Sequence, residues 1–69
     1  MSDYASLADE VAALEEHVAD ALFDAVRAQL RGDARSAERE RQLARVRRSL
    51  VKAEALLREL SDADSRDPD

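Results

Sequence analysis

The sequence predicts an all-α protein: two antiparallel helices forming a coiled-coil-like hairpin that dimerises into a four-helix bundle. Three observations carry this reading. Tyr4, Leu7, Val11, Leu14 and Val18 advance by steps of 3, 4, 3 and 4, and Val46, Leu50, Ala53, Leu57 and Leu60 by 4, 3, 4 and 3, the heptad rhythm of packed helices. The two runs mirror each other about the single glycine, Gly32, with partners at positions summing to 64. Alanine, arginine, leucine, glutamate and aspartate dominate the composition, with one glycine and one proline, which is helical usage.

Helix 1 is expected over about 3–31, with Ser2 or Asp3 capping its first turn. It holds no internal glycine or proline and would reach roughly 40 Å. Asp3, Asp9 and Glu10 suit the positive pole of its dipole, and Arg27 and Arg31 the negative pole. Gly32 is placed as the left-handed residue that ends helix 1, and Asp33 as the cap of helix 2. The turn is therefore read at 32–33. Capping also accounts for the adhesive-looking tripeptide Arg31-Gly32-Asp33. Helix 2 is expected over about 34–60, with an apolar heptad from Leu43 onward. Residues 1–60 form the hairpin, and the acidic, apolar-poor stretch 61–69 reads as a disordered tail.

Charge is sorted along the chain. Residues 1–30 carry a net −6, residues 31–58 a net +5 and residues 59–69 a net −4, giving −5 in all. Opposite charge on facing helices favours the hairpin over pairing of identical helices. The mirror register pairs Glu16 with Arg47 or Arg48, Asp20 with Arg45, and Asp24 with Arg39 or Arg41.

A chain of 69 residues buries little surface and has no cysteine for a disulfide or thiolate site. Self-association is the remaining support. Within the hairpin the expected core is Leu7, Val11, Leu14, Val18, Leu22, Leu43, Val46, Leu50 and Leu57. Beyond Val18 the apolar face of helix 1 drifts sideways through Leu22, Val26 and Leu30 in steps of four, each turning the stripe by about 40°. Phe23, Val26 and Leu30, with Val51 on helix 2, are therefore the candidate interface toward a second subunit or another protein.

No residue set points to catalysis. The carboxylate pairs Asp9–Glu10, Glu15–Glu16 and Asp20–Asp24 sit on a solvated helical face and not in a cleft. His17 is the single histidine, so the chain reads as a non-enzyme without metal or cofactor. Arg41, Arg45, Arg48 and Lys52 share one helical face and are the candidate phosphate contacts of an alternative reading, a nucleotide or nucleic-acid-binding regulator. Against it stand the acidic total charge and the lack of an aromatic among the arginines. No segment suits a membrane or a signal peptide. A cysteine-free chain fits a reducing cytoplasm, and Arg-rich, Lys-poor usage fits a GC-rich bacterial genome. The pattern resembles, in architecture alone, the small bacterial helical hairpins that serve as adaptors, regulators and accessory subunits. The leading expectation is a small interaction module whose first partner is itself.

Overall fold

A computed structural model describes residues 3–65. Two helices, α1 (Tyr4–Leu30) and α2 (Ser36–Ser65), pack against each other as a hairpin, with no strand among the described residues. The result is a rod of 59 × 14 × 13 Å between Cα atoms, with a radius of gyration of 16.3 Å. A compact chain of this length would have a radius near 11 Å.

Local chemistry sets the ends of α1. The Asp3 carboxylate accepts the Ser6 amide at 3.0 Å, the N-cap bond. At the other end Gly32 takes φ +92°. Its amide donates to the Gln29 carbonyl at 2.9 Å and that of Asp33 to the Ala28 carbonyl at 3.1 Å. These two bonds define a Schellman stop, which satisfies carbonyls the helix end would leave open.

The turn is longer than expected, spanning 31–35 instead of 32–33. Asp33 is the reason. Its carboxylate accepts the Arg35 amide at 3.0 Å and its carbonyl accepts the Ser36 amide at 3.1 Å. These bonds close a separate turn before regular helical bonding begins.

The helices meet along a line different from the expected one. The seam line of α1 runs Tyr4, Ala8, Val11, Glu15, Val18, Leu22 and Ala25, with Ala12, Ala19 and Ala28 half-buried beside it. That of α2 runs Ser36, Glu40, Leu43, Leu50, Glu54, Leu57 and Ser61, with Ala37, Ala44 and Ala53 half-buried beside it. Val11, Val18, Leu22, Leu43, Leu50 and Leu57 thus take seam positions. Leu7, Leu14, Val46 and Leu60 do not: they are 44, 47, 45 and 48% exposed. Each helix is rolled so that small residues, Ala8, Ala25 and Ser36, reach the contact and become its only buried members among the described residues. Small residues permit close approach of the backbones. The apolar stripe is wider than one seam, so its far edge is left outside.

The expected ion pairs of Glu16, Asp20 and Asp24 do not form. The cross-helix pair is Arg58–Asp9 at 3.4 Å. Its positions sum to 67, so α2 lies further along than the mirror about Gly32 implies. The five-residue turn accounts for that shift. The region expected as a disordered tail also begins as helix: α2 continues through Ser65, and 66–69 lie outside the described residues. Ser61 extends the seam line and is half-buried. Adding residues to an existing helix needs no new nucleus.

Candidate functional site

Three surfaces carry the chemistry of this rod. The first lies toward the turn. Positions 19, 23, 26 and 30 share one outer side of α1. There Phe23 is 64% and Leu30 84% exposed, with Val26 exposed between them. Arg27 lies over the Phe23 ring, 5.4 Å from its centroid, and screens part of it by a cation–π contact. Val51, the fourth expected interface residue, is also exposed and lines a shallow groove of about 480 Å³ with Leu22, Ala44 and Ala55. Arg47, Arg48 and Lys52 form its rim.

The second surface is the basic stripe of α2. Arg41, Arg45, Arg48 and Lys52 are all exposed, as their spacing requires. Arg45, Arg48 and Lys52 gather around one depression with Ser49. Arg41 is set apart, because its guanidinium donates to Glu38 at 2.8 Å. That bond, with a second from Gln42, holds the Glu38 carboxyl below its usual range. Arg45, Arg48 and Lys52 make no ion pair among the described residues.

The third was not anticipated from the sequence. Glu15 of α1 and Glu54 of α2 face each other across the hairpin, and Glu40 occupies another seam position. A hydrogen bond to Glu54, then loss of water, then the Glu54 charge push the Glu15 carboxyl up, while Arg47 and Arg58 oppose this. Glu54 moves down, because it accepts from Glu15 and from Arg58 at 2.7 Å. Arg58, held by Glu54 and Asp9, is pushed up in turn. One oxygen each of Glu15 and Glu40 is shielded without a hydrogen-bond partner. The usable signal was the alternate heptad line through 8, 11, 15 and 18, which the larger Leu7 and Leu14 outweighed.

His17 is exposed on the outer side of α1. Among the described residues no group of three or more His, Cys, Asp or Glu is placed to hold a metal ion, and no helix is long and apolar enough to cross a membrane. Comparison with known proteins gave no matching family model, no similar curated protein and no similar solved structure.

Proposed function

We propose that this chain is a small non-enzymatic interaction module, an adaptor or regulatory protein acting through homo-oligomerisation and contacts with other proteins. One observation carries the reading. The only buried apolar residues among those described are Ala8 and Ala25, whereas nine large apolar side chains are exposed. Burying a large aliphatic side chain contributes about 1.5–3 kcal/mol, and the single hairpin forgoes most of that. Ordering each residue costs about 1–2 kcal/mol, so the rod gains its stability when those side chains are covered. Assembly of two hairpins into a four-helix bundle supplies the cover. Phe23, Val26, Leu30 and Val51 form the surface offered to a further subunit or a partner protein. A reducing cytoplasmic setting belongs to the same proposal.

Light scattering after gel filtration tests it. The expected mass is a multiple of the chain mass, with helicity lost on dilution. A folded monomer, stable at all concentrations, refutes the reading.

A second reading has its own observation: Arg45, Arg48 and Lys52 converge on one depression without ion-pair partners among the described residues. That arrangement suits a phosphate-bearing ligand, a nucleotide or nucleic acid.

A further inference from the structure

The seam of the hairpin holds an unbalanced set of charges. Glu15 meets Glu54 across it. The Arg58 guanidinium donates to Glu54 at 2.8 Å and to Asp9 of α1 at 3.4 Å. Arg58–Asp9 is the sole ion pair between the two helices among the described residues. Arg47 is the other cation that acts on Glu15. Asp9, Glu15 and Glu54 thus face Arg47 and Arg58, and one added proton balances the set. The geometry marks where that proton belongs. Glu15 and Glu54 are both half-buried, and one Glu15 oxygen is shielded with no donor. Two ionised carboxylates in contact repel, and a shielded charge without a donor is costly. A proton held between them replaces repulsion with an O–H···O bond, and the two acids then titrate as a pair. The two halves of the rod also differ in what holds them shut. Toward the turn, the chain itself joins the helices through Gly32, and Ala25 and Ser36 are buried. Outward of the carboxylate pair and Arg58, the seam line has Tyr4, Ala8 and Ser61, of which only Ala8 is buried.

We propose that the open half of the hairpin is a proton-operated clasp, fastened while Glu15 and Glu54 share one proton across the seam and loosened when both are ionised, with the Gly32 half closed in either state. The pH window follows from the two acids. Glu15 is pushed up from 4.5 by its hydrogen bond to Glu54 and then by loss of water. Its contribution is complete below 4.5 and is lost as pH rises through the raised value. Glu54 is pushed down by accepting from Glu15 and from Arg58. Its contribution is present above 4.5 and is lost as pH falls through the lowered value. The clasp is therefore tightest in mild acid near 4.5, loosens toward neutral pH, and gives up the grip of Arg58 in strong acid. Little apolar surface resists the loosening, because Leu7 and Leu60 beside the outer seam are already 44 and 48% exposed.

Spin-label distances test this. The chain has no cysteine, so Ala5→Cys with Ala63→Cys places two labels at exposed sites across the open end. Ala21→Cys with Arg45→Cys places two at exposed sites nearer the turn. Dilution into excess unlabelled chain restricts the reading to distances within one molecule, whatever its oligomeric state. At pH 4.5, the ordinary value of both acids, the open-end pair should give one narrow distance of about 10–25 Å, the span of adjacent helices with label arms. At neutral pH a longer, broader component should join it, while the pair nearer the turn keeps its distance. Glu15→Gln presents a carboxamide that donates to Glu54 at either pH, so its open end should stay narrow at both. Glu54→Gln removes the same repulsion and should also lack the pH response. If one of these variants loses helicity, the other decides. A wild-type open-end distance that is the same at both pH values overturns the proposal, as does equal broadening nearer the turn. A pH response that persists in a helical Glu15→Gln or Glu54→Gln chain overturns it as well.

Discussion

Exchanging Gly32 for L-alanine and, by chemical synthesis, for D-alanine should move stability in opposite directions. Gly32 sits at φ +92°, where an L side chain crowds its own backbone at a cost of about 1–2 kcal/mol. A Cβ built there meets nothing within 4 Å, so no tertiary clash adds to that figure. Either alanine restricts the unfolded chain relative to glycine, a gain of about 0.4–1 kcal/mol where the native conformation tolerates it. L-Alanine should therefore destabilise by about 1 kcal/mol per chain, and D-alanine stabilise by about 0.4–1 kcal/mol. The two variants have mirror-related freedom at this position when unfolded, so their difference isolates the strain. At one fixed protein concentration, thermal unfolding followed by circular dichroism should show roughly 5–15 °C between them. Equal melting temperatures, or a more stable L-alanine variant, would refute the argument that the Schellman turn at Gly32 sets the hairpin.

Three further outcomes follow from the same structure. Glu15 holds its proton more tightly folded than unfolded, so its contribution is complete below the ordinary value of 4.5 and is lost as pH rises through the raised value. Glu54, lowered, behaves oppositely: its contribution is present above 4.5 and fades as pH falls. Glu15→Gln keeps a donor toward Glu54 without a charge, so its urea midpoint should gain on wild type between pH 4 and pH 7; a constant difference across that range speaks against the pair. Asp3→Ala removes the N-cap bond to Ser6 and should cost about 0.5–1 kcal/mol in urea unfolding, because the affected turn lies at a helix end. Arg45→Glu with Arg48→Glu should abolish retention on a phosphate matrix if the basic depression holds phosphate; unchanged retention removes the nucleotide reading.

What could be read from the residues divides by range. The stops and starts at Asp3 and Gly32 depend on amides a few residues away, and the residue types announce them. The exposure of Phe23, Val26 and Leu30 followed from a stripe that turns about 40° with each four-residue step. The roll of the helices was not legible. The heptads through Leu7 and Leu14 and through Ala8 and Glu15 are neighbouring lines on one cylinder, and the larger side chains favoured the wrong one. The choice between them rests on how closely Ala8, Ala25 and Ser36 let two backbones approach, a property of the pair of helices. Arg58 was likewise invisible as the cross-helix partner of Asp9, because the length of the turn sets which side chains lie level. The added turns of helix through Ser65 depend on the end of α1 being alongside.

The antiparallel path gives the rod two unlike poles. Asp3 and Ser65, far apart in sequence, lie at one pole, and Gly32 lies at the other, roughly 40–50 Å away along helices of 27 and 30 residues. Anything attached at either end of the described segment is therefore held roughly 4–5 nm from the turn. Tethered by that pole to a surface or a carrier, the rod would stand off and hold the exposed Phe23 and Leu30 in its distal half.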